Sequence, residues 1–137
     1  MKYVLSIDGG GIRGLIPALV LADIEKKTGE KIHQMFDLIC GTSTGGIIAL
    51  GVTMDDGAGQ AKFTAMQMAK IYEDRGKDIF GRSLWKGVSS VGGLGDEKYS
   101  ADGLEEVLEE YFSNEPMGAC LTPTLISSYD IQNRTPV

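Results

Sequence analysis

The sequence predicts an α/β fold built on a central, mostly parallel sheet. Two glycine-rich turns carry that prediction, each set between an apolar, strand-like run and a helix-like run. Asp8-Gly9-Gly10-Gly11-Ile12-Arg13-Gly14 follows residues 2–7, and Gly41-Thr42-Ser43-Thr44-Gly45 follows residues 35–40. Strand, turn, helix, strand, turn, helix is a βαβα pattern. It implies a parallel sheet covered by helices on both faces, with both turns on the same carboxyl edge of that sheet.

The first run holds Tyr3, Val4, Leu5 and Ile7, strand formers expected to make a buried strand. Leu15, Ile16, Leu19, Val20 and Ile24 then recur at helical spacing, with Pro17 tolerated because it falls in the first turn. Gly29, after Lys26 and Lys27, supplies a C-terminal stop. A second strand over about 35–40 enters the second turn, and a nearly all-apolar helix leaves it towards Met54. A polar loop at 55–60 precedes a helix over about 61–74. Its stripe of Ala61, Ala65, Met68, Ala69 and Tyr72 reads as core packing in preference to a lipid contact. Over 76–95 the regularity breaks down: glycines punctuate Ile79, Phe80, Leu84, Trp85, Val88, Val91 and Leu94, with a local excess of positive charge. Ser100 is expected to cap a helix that turns Leu104, Val107, Leu108 and Tyr111 inward and Glu105, Glu106, Glu109 and Glu110 outward. A turn near 114–118 leads to a last strand over 124–129.

At 137 residues the chain supports one domain with a real core. A net charge of -6 argues against a nucleic-acid partner, which would need clustered Lys and Arg. Membrane contact would need a local patch, and the basic, tryptophan-bearing 76–95 segment is the best candidate for a transient surface contact. Packing of that segment's apolar residues under a loop is the competing reading. Cys40 and Cys120 make neither a disulfide framework nor a metal spacing, and Cys40 is expected to be a buried, inert thiol. With no signal-like segment and no run long enough to span a bilayer, a cytoplasmic protein is expected.

Chemistry concentrates on the two turns. Gly41-Thr42-Ser43-Thr44-Gly45 reads G-x-S-x-G between a buried strand and a buried helix, the context of a nucleophile elbow. Side chains at 41 or 45 would collide with neighbouring backbone. Acyl transfer at Ser43 would create an oxyanion needing N–H donors from a second loop, and a glycine triplet on the same sheet edge can supply them. Gly9-Gly10-Gly11-Ile12-Arg13-Gly14 also fits G-x-G-x-x-G, the fingerprint of a dinucleotide site. Against that reading, Asp8 puts a negative charge where a pyrophosphate would sit, and the second strand ends in the Ser43 elbow instead of a ribose-binding acid. The lone His33 lies in the polar link before the second strand, away from this edge, so a carboxylate is the expected base.

The paired motifs, Asp8-Gly9-Gly10-Gly11-Ile12-Arg13-Gly14 and Gly41-Thr42-Ser43-Thr44-Gly45-Gly46, resemble the D-G-G-G-x-R-G and G-T-S-T-G-G signatures of the patatin-like phospholipase family. The likeness is close over the first half of the chain and looser beyond it. It implies a three-layer α/β/α lipid acyl hydrolase that cleaves ester-linked acyl chains from phospholipids or other acyl lipids, using a Ser-Asp dyad and no metal or organic cofactor. By this resemblance Ser43 is the nucleophile, and Gly9, Gly10, Gly11 and Thr44 form the oxyanion hole. Asp8, Arg13, Gly14, Gly41 and Gly45 support the motifs, with Arg13 holding the turn or meeting a polar head group.

The dyad aspartate belongs to a later D-G-G or D-G-A motif, which this sequence lacks. Asp102-Gly103 fails at Leu104 and falls in a helical first turn; Asp130 is expected to make a turn with Asn133 and Pro136; Asp37 is expected to be a buried structural acid. Residues 1–137 are therefore expected to be the N-terminal part of a longer catalytic domain, stopping short of the base. A catalytically incomplete relative that keeps an acyl-binding cleft is the alternative.

Overall fold

A computed structural model describes residues 1–80 and 101–137, with the backbone alone over 77–80 and 101–104. In chain order it contains β1 (Val4–Ile7), a 3-10 turn (Gly11–Gly14), α1 (Leu15–Thr28), α2 (Ile32–Met35), β2 (Leu38–Thr42) and α3 (Thr44–Thr53). These are followed by α4 (Ala65–Phe80), α5 (Ala101–Phe112), β3 (Thr124–Ser127), β4 (Tyr129–Asp130) and β5 (Thr135–Pro136). The fold is the α/β class expected, with the sheet order β1-β2-β3 and both pairings parallel.

Strand register decides which side chains face the core. Ile7 pairs with Gly41 and Gly41 with Ile126, so these three share one face, together with Leu5, Ile39 and Thr124. Helix α3 lies across that face, and its Gly46 sits so close to the sheet that a Cβ there would meet Ile126. Outside α3, helices α1 and α4 pack on each other, and Ala18, Leu21, Ala22, Ile48, Val52, Met68 and Tyr72 form the core between them. Gly51 makes room for Met68, confirming the methionine stripe as packing. The Glu25 carboxylate ties α1 to its neighbours, accepting from the Ile32 N–H at 3.3 Å and the Ala65 N–H at 3.0 Å. Both are unpaired amides at the N-termini of α2 and α4, where a negative charge is favoured.

Several expectations are corrected. The first apolar run is not buried throughout: Tyr3 and Val4 are exposed, because among the described residues β1 pairs with β2 alone and is covered by α3 on one face. Cys40 points to that other face and is half-buried, a free thiol and not a sealed core residue. Asp37 lies just ahead of β2 and is not a buried acid; it accepts from Lys2 Nζ at 2.6 Å and from the Tyr3 N–H at 2.8 Å at the surface. Helix α4 starts later than expected and continues to Phe80, so Gly76 is a helical residue packed against Ile12. Residues 81–100, which carry Trp85 and Ser100, lie outside the described residues, and with them all of the proposed 76–95 surface contact except its first five residues, which end α4. Strand β3 stops at Ser127, after which residues 128–137 fold back as a hairpin. As expected, Asp130 makes the turn there, accepting from the Gln132 and Asn133 amides and from Asn133 Nδ2. Among the described residues no helix is long and apolar enough to cross a membrane.

Candidate active site

Strand β2 ends at Thr42 and α3 begins at Thr44, so Ser43 alone reverses the chain direction. It does so at φ 51 and ψ -122, a left-handed conformation that costs a non-glycine residue on the order of 1–3 kcal/mol. The conformation is enforced from both sides. A Cβ on Gly41 would run into the backbone of Gly45 and Gly46, and one on Gly45 into the carbonyl of Ile7. The first turn of α3 is thus seated on bare backbone of β1 and β2, and Ser43 is left exposed at the carboxyl edge of the sheet.

The β1 turn arrives at the same place. Gly9 lies against the elbow, since a Cβ there would come within 2.7 Å of the Thr42 carbonyl and 2.8 Å of Ser43 Cβ. Two threonine hydroxyls pin this turn. The Gly9 N–H donates to Thr42 Oγ1 at 2.8 Å, and the Gly10 N–H donates to Thr44 Oγ1 at 3.2 Å. Arg13 holds it from the other end, donating to the Gly10 carbonyl from its backbone N–H at 3.2 Å and from Nε at 3.5 Å. Gly11 adopts φ 60, which glycine tolerates at no steric cost. Gly14 allows the turn to close on the core, because a Cβ would meet the Tyr72 ring at 2.9 Å and Thr44 Oγ1 at 3.1 Å.

Below the elbow, the buried Tyr72 hydroxyl donates to the Thr44 carbonyl at 2.6 Å. Burial raises the Tyr72 pKa far above its ordinary value, with only partial opposition from the Thr44 side chain, so the phenol stays protonated as a donor. Tyr72, Thr44 and Gly10 therefore form one connected brace from α4 through α3 to the β1 turn. The amides of Gly11 and Thr44 are left without an acceptor among the described residues. The Thr44 amide also opens the first turn of α3, where the helix dipole favours developing negative charge.

Of the remaining acids, Asp8 follows β1 directly and is exposed, with its carbonyl against Gly45. Asp37 and Asp130 are held in surface contacts with Lys2 and Asn133, and Asp102 and Gly103 fall in the first turn of α5. Ser43 Oγ has no hydrogen-bond partner among the described residues. His33 sits in α2, before the opposite end of β2 from Ser43. Its Nδ1 is buried without a partner, and burial lowers its pKa, with Glu25 opposing the shift and Lys31 adding to it. Among the described residues no group of three or more His, Cys, Asp or Glu is placed to hold a metal ion.

The threonine hydroxyls of residues 42 and 44 and the phenol of Tyr72 are the functional groups that residue-type reasoning missed. The repeated G-T-S-T-G spelling was the one signal for the threonines; Tyr72 had none, since it reads as one more apolar position on the α4 stripe.

The family model for patatin-like phospholipase matches residues 5–135. Patatin-like protein 2 of Oryza sativa subsp. indica is 34% identical over 146 residues, covering 99% of this chain and 36% of the relative. A cGAMP-activated phospholipase of Pseudomonas aeruginosa is 41% identical over 117 residues, covering 85% of this chain and 32% of the relative. Patatin-T5 of Solanum tuberosum is 33% identical over 144 residues, covering all of this chain and 35% of the relative. The chain thus spans about a third of the length of these relatives.

Proposed function

We propose that this chain, which belongs to the patatin-like phospholipase family, carries the nucleophile and oxyanion half of a serine-dependent lipid acyl hydrolase. The observation that carries the reading is Ser43: an exposed serine at positive φ on a strand-to-helix turn, with a glycine turn pinned against it. Ser43 Oγ attacks the ester carbonyl of a phospholipid or another acyl lipid. The carbonyl oxygen becomes an oxyanion and accepts from the Gly11 and Thr44 amides, each worth on the order of 3 kcal/mol in the transition state. Gly9 and Gly10 act one step back, because their amides already donate to threonine hydroxyls. The alcohol leaves, and water hydrolyses the acyl-enzyme. A carboxylate from outside residues 1–137 takes the Ser43 proton and returns it to the leaving alcohol, completing a Ser-Asp dyad.

The same pinned amides speak against the dinucleotide reading, since a pyrophosphate would need the Gly9 and Gly10 donors. The second reading, an acyl-lipid-binding relative without turnover, draws on Ser43 Oγ having no base beside it among the described residues. A fluorophosphonate probe applied to the full-length protein separates the two. Labelling at Ser43, absent in Ser43→Ala, together with release of fatty acid from phosphatidylcholine vesicles, is expected. An unlabelled Ser43 in protein that still binds vesicles would establish the second reading instead.

A further inference from the structure

We infer that Ile12 and Gly76 are positioning residues: the Ile12 side chain, keyed into a gap that Gly76 leaves in α4, fixes the far end of the β1 turn and with it the Gly11 amide. Glycine is unfavourable inside a helix, where it gives up more backbone freedom than any other residue. Gly76 nevertheless lies buried within α4, four residues after Tyr72 and so on the same face. A Cβ on Gly76 would run into Ile12 Cδ1 and stand 3.8 Å from Ile12 Cγ1; among the described residues it would meet nothing else within 4 Å outside its own helix. The glycine therefore serves one contact, and that contact is with the residue next to Gly11.

The turn meets α4 twice, with the bulk exchanged between the partners. At Gly14 the turn is bare and the helix supplies the Tyr72 ring, 2.9 Å from where a Cβ would stand. At Ile12 the turn supplies the side chain and the helix is bare. Tyr72 and Gly76 are one helical turn apart, about 6 Å along α4, so the two contacts together resist both sliding and tilting of the β1 turn. Burial is a weak reason for this arrangement, because Ile12 stays 43% exposed and alanine at 76 would suit the helix better. Position is the stronger reason. Thr42 and Thr44 hold Gly9 and Gly10, and Arg13 holds the Gly10 carbonyl, but the Gly11 amide has no acceptor among the described residues. Gly11 adopts φ 60 between Gly10, tied to α3, and Ile12, seated on α4. Isoleucine is stiff at χ1, so a push on Cδ1 reaches the backbone of the turn.

What the Gly11 amide does rests on the hydrolase reading; how it is held does not. Gly76→Ala in the full-length protein tests the two separately. On phosphatidylcholine vesicles kcat is expected to fall at least about 10-fold with KM changed by less than about threefold, while the urea midpoint holds or rises. Adding Ile12→Val removes Cδ1, the atom in the way, and the double variant is expected to regain kcat to within about threefold of the parent. Hydrogen–deuterium exchange over residues 9–14, where the Gly10 and Arg13 amides are bonded, should quicken at least about threefold in Gly76→Ala and return in the double variant. A kcat within about twofold of the parent in Gly76→Ala would overturn the inference, as would a loss that Ile12→Val does not restore. A parent protein without hydrolysis would count against the hydrolase reading alone. The exchange rates would then decide the seating, and unchanged rates over 9–14 would overturn it.

Discussion

Thr44→Val is the sharpest test of how the elbow and the glycine turn cooperate. Valine keeps the shape of the buried Thr44 side chain but removes Oγ1, the acceptor of the Gly10 N–H. The Tyr72 hydroxyl keeps its bond to the Thr44 carbonyl, while valine also removes the Thr44 hydroxyl that interacts with the phenol. A part-buried amide left without a partner costs about 1–3 kcal/mol of stability, and urea denaturation of the full-length protein should show a loss in that range. The catalytic effect should be larger than the stability loss suggests. With Gly10 released, the turn is held by the Gly9–Thr42 bond and by Arg13, and the Gly11 amide is no longer fixed towards the oxyanion. We expect kcat on phosphatidylcholine to fall by about 100-fold with KM changed by less than about threefold, the signature of an interaction realised in the transition state. Thr44→Ser, which restores the hydroxyl, should recover most of kcat. Tyr72→Phe removes a phenol that lies behind the site and should cost about 1 kcal/mol of stability with a small change in kcat. If Thr44→Val loses that much stability yet keeps kcat within about twofold, the hydroxyl is only a structural bond and the preorganisation argument fails.

The same geometry gives three further outcomes. Ser43→Gly should abolish hydrolysis and raise stability by about 1 kcal/mol, the strain of a positive φ relieved less the extra backbone entropy of glycine; an unchanged or lower urea midpoint would show that the elbow is unstrained. Gly45→Ala should be among the most damaging single substitutions, above about 4 kcal/mol or insoluble on expression, because the obstacle is the Ile7 carbonyl and no side chain can yield. His33, the chain's single histidine, is held below its ordinary pKa of 6.5, mainly by burial. Below pH 6.5 the unfolded chain binds a proton that the folded one resists, so its share of stability is full above that pH and is lost as pH falls through it towards the folded pKa. Urea midpoints of residues 1–137 measured from pH 8 to pH 5.5 should fall over that window and should fall less in His33→Gln; equal slopes would exclude His33 as the cause.

Both turns were legible in residue types because backbone contact demands glycine at Gly41, Gly45, Gly9 and Gly14, where nothing larger fits. The helices were legible from apolar periodicity, and the α1 stop from Gly29, which adopts φ 76 and donates to the Glu25 carbonyl. What stayed hidden depends on partners distant in sequence. The Gly9–Thr42 and Gly10–Thr44 bonds join residues 33 and 34 positions apart, and they exist only because the register sets Ile7 beside Gly41. Asp37 read as a strand interior because Phe36 and Leu38 flank it, yet the strand begins one residue later, where Lys2 and the Tyr3 amide reach it. Val4 and Cys40 belong to apolar runs that look buried on both faces, but burial of the second face depends on elements that local pattern cannot place.

The threonines also resolve a tension within the proposed mechanism. Glycine lets the β1 turn approach Ser43, but the same freedom would let it wander, and an oxyanion donor that must reorganise contributes little. Thr42 and Thr44 remove that freedom from the two amides nearest the strand and leave the next one, Gly11, unengaged. Thr44 supplies a second donor through its own backbone, and Tyr72 anchors that residue from the core. In G-T-S-T-G the glycines thus admit the backbone and the serine bears the strain, while in the proposed mechanism that serine reacts and the two threonines fix the distant loop that would meet the charge it creates.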